Sequence, residues 1–335
     1  MQSMPNVNIR TQLSAIIQQI NITTEGALSV NGIPQNNHYS PEADVDVQLQ
    51  RNLQNTLYSL FYTQSSSAVP PKEDLNHPDF LNYLQRANTS VQGFNEGWQV
   101  EEIGHDGNIL VKKGASKRYT YAGDFLRAQF GQGKLQQGEN IKLHQHKEFV
   151  SPQDNGFYFV FGQTLADQNN SSLVRFYFNL NPQKVVAFVE LLTQLLNDWA
   201  IPFQFKCLQS IRAYPRADSG VLYLDKRYFQ IASTLLQKRY STFSSYLNEA
   251  IPLFSKRIAS GIGFAENPFD TNDSFGTNRC KVIAQGLVEA WRQQLPKTEW
   301  LTIILQLIER NFLDVNQIHL NPNSKYPYYF PNFEN

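Results

Sequence analysis

The chain has little of what defines a disulfide-stabilised, membrane-spanning or strongly charged protein. It contains only two cysteines in 335 residues, Cys207 and Cys280, too few for a disulfide framework and without CxxC spacing. Lysine plus arginine and aspartate plus glutamate number 29 each, so no net field favours nucleic acid or an anionic membrane, although a local basic pocket is allowed. We therefore expect a globular protein of a reducing compartment, with neither nucleic acid nor membrane as partner.

Apolar runs of transmembrane length are also missing from the sequence. The amino terminus, "MQSMPNVNIRTQLSAIIQQI", has the pattern of a polar-faced helix rather than that of a signal peptide. These features predict a cytoplasmic protein. Secretion through a type III system leaves no sharp sequence signature, so it stays open as the alternative.

A serine- and proline-rich stretch, "TQSSSAVPPKEDLNHPDF", separates a helical start from the rest of the chain. Proline removes a backbone donor and restricts the residue before it, so this stretch is predicted to be a loop. Helices are predicted before it over residues 9–20 and 45–62, the second from leucines at helical spacing. We predict a helical amino-terminal region over residues 1–95 and an α+β domain over residues 96–335.

The second region alternates between strand and helix patterns. Asp106-Gly107 supplies the turn of a hairpin, and a strand, a helix and a strand are predicted within residues 173–208. The predicted fold class is α+β, with an antiparallel or mixed sheet covered by helices. The other predicted strands cover residues 143–149, 156–162 and 219–224, and the other helices cover residues 226–240, 281–294 and 299–311.

Polar side chains share one side of three predicted strands. Because side chains alternate along a strand, Arg175 and Tyr177 in "LVRFYFNLN" lie opposite the phenylalanines. The same alternation places Lys206 in "FQFKCL" and Tyr223 in "GVLYLD" on the side away from the helix. This side is either the solvated face of an antiparallel sheet or an anion site, since guanidinium groups suit phosphate.

Two loops add positive charge to this surface. The loop "SIRAYPRADSG" brings Arg212 and Arg216 close to it, and "DSFGTNRCKV" places Ser274 and Arg279 at the start of a helix. Backbone N–H groups at a helix start favour phosphate or carboxylate. The alternative for the second loop is an ordinary helix cap with a surface arginine.

Signals for a metal or a nucleotide are weak. His144 and His146 in "LHQHKE" share one strand face, but no third ligand is evident nearby, so a surface or core histidine pair is expected. The sequence has no Walker-type Gly-Lys loop and no kinase Gly-rich loop. We expect no metal and no cofactor, and any phosphate should arrive on the substrate.

Three blocks of sequence resemble the HopA-type family, which was first named for a bacterial type III effector. They are "LVRFYFNLNPQKVVAFVELLTQLLNDWAIPFQFKCL", "YPRADSGVLYLDKRYF" and "NPFDTNDSFGTNRCKVIAQGL", in that order, within residues 157–286. Members found in gene clusters for class V lanthipeptides and thioamitides are lyases that remove phosphate from phosphoserine or phosphothreonine, leaving dehydroalanine or dehydrobutyrine. The family distantly resembles the OspF/SpvC phosphothreonine lyases.

The resemblance implies a role for each polar residue. Those lyases carry Lys-x-His on a strand and, after a helix, a lysine that takes the Cα proton. Here Arg175 would hold phosphate, Lys206 would be the base, and Tyr177 stands in place of the histidine that protonates the leaving phosphate. The remaining candidate phosphate or substrate ligands are Arg212, Arg216, Tyr223, Arg279 and Ser274.

Two functions follow from these residues. The first is a phospho-Ser/Thr lyase that acts on a phosphorylated precursor peptide or, as a type III effector, on a host phosphoprotein. A partner Ser/Thr kinase-like protein would supply the phosphate. In the lyase, nearby cations such as Arg175 would favour a neutral lysine base, and the Tyr177 phenol would donate a proton. The alternative is a type III effector module that binds a phosphorylated or acidic segment without elimination. A lysine at position 206 favours the enzyme. Elimination needs a base that can become neutral, which an arginine cannot, whereas a binding module could use either residue.

Overall fold

A computed structural model describes residues 8–35, 44–64, 79–127, 133–152, 156–165, 172–269 and 273–333. A π-helix, Leu57–Tyr62, continues the second helix without interruption. Among the described residues, no helix is both long enough and apolar enough to cross a bilayer. The α-helices are α1 (Ile9–Gln19), α2 (Val45–Thr56), α3 (Phe80–Ala87), α4 (Val185–Asp198), α5 (Phe229–Phe243), α6 (Phe275–Arg292) and α7 (Lys297–Arg310).

The strands form three antiparallel sheets. A small sheet contains β1 (Ile20–Ile22), β2 (Leu28–Val30) and β3 (Ile33–Pro34). The strands of a five-stranded sheet are β4 (Gly93–Ile103), β5 (Ile109–Lys113), β6 (Ser116–Thr120), β7 (Phe125–Arg127) and β8 (Asn140–Gln145), in the order β6-β5-β4-β8-β7. The strands of a seven-stranded sheet are β9 (Glu148–Val150), β10 (Phe157–Phe161), β11 (Leu173–Phe178), β12 (Gln204–Leu208), β13 (Gly220–Asp225), β14 (Lys256–Ala259) and β15 (Ile262–Glu266), in the order β14-β15-β11-β13-β12-β10-β9.

The α+β class and the antiparallel sheet are confirmed. The small sheet was not predicted, because strands of two or three residues carry no readable periodicity. The single strand predicted over residues 143–149 is wrong in extent, since β8 ends at Gln145 and β9 starts at Glu148. Most of the predicted serine- and proline-rich loop, residues 65–78, lies outside the described residues.

Helices cover both faces of the seven-stranded sheet. On one face, α4 and α5 bury the phenylalanines of β11, including Phe176 and Phe178. On the other face, α2, the π-helix and α6 form a second core that includes Tyr177. The expectation of an uncovered polar face is therefore wrong at β11, which is buried on both sides, and holds better at β12, where Lys206 is partly exposed.

The described amino-terminal helices belong to the second core. Leu49, Leu53 and Leu57 are buried in the same cluster as Ile283 and Leu287 of α6. The division of the chain at residue 95 stays a prediction. The packing nevertheless places the π-helix beside the polar side of the sheet, where its tyrosines reach the predicted site.

Gly276 allows the π-helix to approach α6 closely. A Cβ atom at this position would lie 2.3 Å from the ring of Tyr62, well inside van der Waals contact. Tyr62 is only 2% exposed, and its ring packs edge-on against Tyr177, with the ring centroids 6.5 Å apart. The ring therefore has little room to move away from a larger residue.

Replacing Gly276 with alanine should lower the free energy of unfolding by about 1–3 kcal/mol, the usual range for overpacking a core. This cost should exceed the gain in helix propensity, which is at most about 1 kcal/mol. Urea unfolding followed by circular dichroism measures the change. Gly93→Ala is the control, because a Cβ there meets nothing within 4 Å. Equal stability of the two variants would contradict the tight contact.

Candidate anion-binding site

The strand order brings four of the predicted site residues to one face of the sheet. Tyr177 of β11 and Lys206 of β12 are both paired with Val221 of β13. β13 lies between β11 and β12, and Tyr223 is paired with Arg175 on one side and with Gln204 on the other. Lys206 is paired with Val221, two positions from Tyr223 along β13. Because directly paired residues point to the same face of a sheet, Arg175, Tyr223 and Lys206 share one face, and Tyr177 lies on it as well.

Both cations lie near the same aromatic ring. The Cζ atom of Arg175 is 5.0 Å from the Tyr223 ring centroid, and the Nζ atom of Lys206 is 5.7 Å from the same centroid. Lys206 also lies over Phe157, with Nζ 4.2 Å from that ring centroid. Rings at these distances attract cations through their quadrupole. The structure thus groups Arg175, Lys206 and Tyr223, which together we call the cation face.

Arg175 is buried, yet its charge is not neutralised by a carboxylate. The residue is 8% exposed, and its Nε donates to the Oδ1 atom of Asn267 at 2.7 Å. Among the described residues, no aspartate or glutamate forms an ion pair with it. A buried charge without a counter-ion is costly. The neutral amide of Asn267 orients the guanidinium and leaves its positive charge available to an anion.

Arg216 has the opposite arrangement. Its guanidinium makes a two-pronged ion pair with Asp218, in which Nη2 donates to Oδ2 at 2.8 Å. Nη2 also donates to the Tyr58 hydroxyl at 3.2 Å, and Cζ lies 6.0 Å from the Phe157 ring centroid. Arg216 therefore reaches the Lys206 side of the cation face, but Asp218 already balances its charge.

Tyr177 is more deeply buried than the three residues of the cation face. It is 1% exposed, and its hydroxyl has no well-formed hydrogen bond to any described residue. Burial raises the pKa of Tyr177 to about 12, although the nearby charge of Arg175 acts to lower it. At neutral pH this group is a protonated phenol, able to donate a hydrogen bond.

Arg279 does not join the cation face. It is 2% exposed, and its guanidinium donates to two backbone carbonyls, through Nε to Ile318 at 2.9 Å and through Nη2 to Leu320 at 2.8 Å. Its Nη1 also donates to the side chain of Asn278. Burial lowers the pKa of Arg279 to about 10. In this structure the guanidinium holds the carboxyl-terminal segment in place.

The other two predicted ligands also have separate surroundings. Ser274 is the N-cap of α6, and its hydroxyl accepts from the Thr277 N–H at 3.1 Å, as the ordinary-cap alternative expected. Arg212 is exposed on a short 3₁₀ turn, Ile211–Ala213. The hydrogen bond of Ser274 is explained by the helix cap without an anion.

The histidine pair is hydrogen-bonded within itself. The Nδ1 atom of His144 lies 3.2 Å from the Nε2 atom of His146. In the described part of the chain, no three or more histidine, cysteine, aspartate or glutamate side chains form a group suited to a metal ion.

The carboxyl-terminal segment supports Arg175 indirectly. The buried carboxylate of Glu266 accepts three hydrogen bonds from this segment: from the Asn321 N–H at 2.7 Å, the Ser324 hydroxyl at 2.6 Å and the Tyr328 hydroxyl at 2.7 Å. Asn321 also donates from Nδ2 to the carbonyl of Asn267 at 2.6 Å. Asn267, the partner of Arg175, is thereby fixed by residues from outside the sheet.

The sequence did not reveal the hydrogen-bond partners of Arg175 and Arg216, which determine whether each charge is neutralised. Asp218 lies inside the quoted loop, two positions after Arg216, so an Arg-x-Asp pair was a readable signal. Asn267 and Tyr58 are 92 and 158 positions from the arginines that they contact, and no local pattern marks them.

Comparisons with known proteins point in one direction. A model of the HopA1 effector protein family matches residues 151–320, a stretch that contains the whole cation face. No curated protein matches the chain. Among solved structures, the effector protein from Pseudomonas syringae pv. tomato strain DC3000 is similar, with 15% identity, a TM-score of 0.50, and coverage of 81% of this chain and 90% of that one. The effector protein from Pseudomonas syringae pv. syringae strain 61 is similar at 12% identity and a TM-score of 0.51, covering 96% and 100%. At these identities the likeness shows the fold alone.

Replacing Arg279 with alanine should release the carboxyl-terminal segment. The carbonyls of Ile318 and Leu320 would lose their donors, at a cost of about 1–3 kcal/mol for each buried acceptor. Hydrogen exchange at residues 318–328 should accelerate, and the free energy of unfolding should fall.

Arg310→Ala is the matched control, because the Arg310 side chain forms an exposed ion pair with Glu289, at 3.2 Å, worth at most about 1 kcal/mol. A variant at Arg279 that loses phosphate affinity while exchange in the segment stays unchanged would restore Arg279 as a direct ligand.

Proposed function

This chain belongs to the HopA1 effector protein family, and we propose that it is a phosphoserine or phosphothreonine lyase acting on a phosphorylated peptide. Lys206 takes the proton from Cα, and the electrons of that C–H bond form the Cα=Cβ double bond. The Cβ–O bond breaks and phosphate leaves with the electron pair. The products are free phosphate and a dehydroalanine or dehydrobutyrine residue.

The observation that carries this proposal is the charge of Arg175. A guanidinium that is buried beside a neutral amide, without a carboxylate among the described residues, favours an anionic ligand. Phosphate offers two oxygens to such a group. The same charge would stabilise the leaving phosphate as it forms, which is the largest contribution that a fixed donor usually makes to catalysis.

Lys206 suits the role of base by its position. Its Nζ and the Arg175 guanidinium approach the same Tyr223 ring, so a phosphate at Arg175 brings the substrate carbons towards Lys206. Within the described ranges, no carboxylate forms an ion pair with Lys206. Proximity and correct orientation then supply much of the rate.

Tyr177 is the candidate for donating a proton to the leaving group. Burial keeps its phenol protonated, and its hydroxyl has no well-formed hydrogen bond to a described residue. Tyr177 is two positions from Arg175 on the same face of β11, so an anion held by Arg175 would lie on the side of this hydroxyl. A hydrogen bond from the phenol to the bridging oxygen would then aid departure.

The proposal implies partners of defined chemistry. A lyase without a nucleotide loop depends on another protein to phosphorylate its substrate, so we propose a Ser/Thr kinase-like partner and a phosphorylated precursor peptide. Such a reaction belongs in the cytoplasm, where a precursor peptide is made. If the chain is instead secreted through a type III system, the substrate is a phosphoprotein of the recipient cell.

Two observations favour the second candidate function, a module that binds a phosphorylated segment without eliminating phosphate. The proton donor, Tyr177, is almost fully buried, and Asp218 balances the charge of Arg216. A binder needs Arg175 and a second cation but no accessible acid. Elimination and binding by Lys206 variants distinguish the two functions.

Replacing Lys206 with alanine or arginine should abolish elimination from a phosphoserine peptide, since a positioned base contributes about 10²- to 10⁴-fold. The arginine variant should still bind the peptide, because it keeps the charge but cannot become neutral. Mass spectrometry distinguishes elimination from hydrolysis, since only elimination leaves a dehydro residue.

Lys142→Ala serves as the control, because Lys142 forms a partly exposed ion pair with Glu96 on the five-stranded sheet. It should eliminate phosphate at the wild-type rate. Undiminished elimination by Lys206→Ala would remove Lys206 from the mechanism. If the wild type binds phosphopeptides but never eliminates, the binding module is the function.

Replacing Asn267 with aspartate should weaken binding of inorganic phosphate by about tenfold or more, because a carboxylate at 2.7 Å would neutralise Arg175 as Asp218 neutralises Arg216. Titration calorimetry measures the affinity. Asn316→Asp adds the same charge at an exposed position and should leave phosphate binding unchanged. Wild-type phosphate affinity in Asn267→Asp would mean that Arg175 is not the anion ligand.

A further inference from the structure

A cavity of about 630 Å³ lies between the five-stranded and the seven-stranded sheets. One wall comes from β6 and β8, and includes Tyr119 and His144. The other wall comes from one end of β11, β12 and β13, and includes Gln204 and Tyr223. We call it the inter-sheet cavity. Its volume lies within the range of about 300–1,000 Å³ that proteins use for ligands.

The inter-sheet cavity adjoins the cation face. Tyr223 belongs to both, and the pairing of Gln204 with Tyr223 continues directly to Arg175 on the next strand. The ring of Tyr223 is the one that both Arg175 and Lys206 approach. A molecule with a phosphate at Arg175 can therefore extend past this ring into the cavity.

The walls of the cavity offer aromatic rings to a ligand. Tyr119 is 61% exposed and Tyr121 is 54% exposed, although both are large side chains at the end of β6. Phe161 and Tyr228 add rings from the opposite wall. Tyrosines in a concave surface are typical of recognition sites, since they contribute contact area and a polar hydroxyl at low entropic cost.

The charges on the walls cancel. The lining contains two arginines, Arg118 and Arg227, and two aspartates, Asp124 and Asp225. The Nε of Arg227 lies 3.9 Å from a carboxylate oxygen of Asp225. The Asp225 carboxylate also accepts a hydrogen bond from Ser172 at 2.6 Å. A neutral, aromatic cavity does not attract phosphate itself. It suits an uncharged segment whose backbone amides need hydrogen-bond partners.

We propose that the inter-sheet cavity holds the chain of the peptide on one side of its phosphorylated residue, with Tyr223 at the boundary. This inference rests on the proposed function, because the peptide's phosphate is bound at the cation face. The segment is short, extended and uncharged, and its side chains pack on Tyr119 and Tyr121. Substrate selection therefore resides in the cavity, and phosphate binding in the cation face.

The test compares a short phosphoserine peptide, flanked by alanine, leucine and glycine, with free O-phosphoserine. The double variant Tyr119→Ala, Tyr121→Ala should bind the peptide about tenfold more weakly than the wild type, by calorimetry. Its affinity for O-phosphoserine should be unchanged, since the amino acid has no flanks. Tyr329→Ala removes a tyrosine that is 71% exposed and does not line the cavity, and should change neither affinity.

The outcomes separate this inference from the function on which it rests. Wild-type peptide affinity in the double variant, with O-phosphoserine still bound, would overturn the cavity as a peptide site and leave the cation face intact. An equal loss for both ligands would also overturn it, since the tyrosines would then act on phosphate binding. If the wild type binds neither ligand, the proposed function fails, and the cavity inference fails with it. Removing flanking residues from one end of the peptide at a time shows which side enters the cavity.

Discussion

A guanidinium withdrawn from water must be compensated, and the surroundings of Arg175 show how this protein does so without cancelling the charge. Asn267 supplies an oxygen with a partial negative charge, Tyr223 offers the face of its ring, and no described carboxylate takes up the cation. Arg216, a few ångströms from Phe157 on the same side of the sheet, is instead neutralised by Asp218. Arg175, with an amide as partner, therefore keeps its net charge among the described residues, whereas the charge of Arg216, with a carboxylate as partner, is neutralised.

The helices on the second face of the sheet bury Arg175 and the residues around it. Had β11 been open to water, Arg175 and Tyr177 would be ordinary solvated side chains. The π-helix and α6 close over them, with the ring of Tyr62 against Tyr177 and the absent side chain of Gly276 leaving room for that ring. π-Helical segments are uncommon and are often found near functional sites. Here the segment places Tyr58 on Arg216 and Tyr62 above the buried phenol.

The cation face was largely predictable from the sequence, and its surroundings were not. Alternation along a strand is local, so parity alone put Arg175, Lys206 and Tyr223 on one side. Which helices cover that side depends on packing between distant segments, which a short window cannot contain. Arg279 illustrates the limit: an arginine at a helix start suggests an anion ligand, but its guanidinium binds carbonyls 39 and 41 positions later in the chain. The same holds for Ser274, whose hydroxyl caps α6.

The hydrogen bonds that join Asn267 to both Arg175 and Asn321 also bear on the order of folding. They span 92 and 54 positions, and the bond from Arg216 to Tyr58 spans 158. Contacts between residues so distant in sequence cost more loop-closure entropy than local contacts, and they form slowly compared with helices and hairpins. These hydrogen bonds should therefore form late, together with the pairing of β11 and β15, in which Val174 lies opposite Glu266 across 92 positions. Arg175 would then reach its fixed orientation only when the residues near 320, which hold Asn267, have docked.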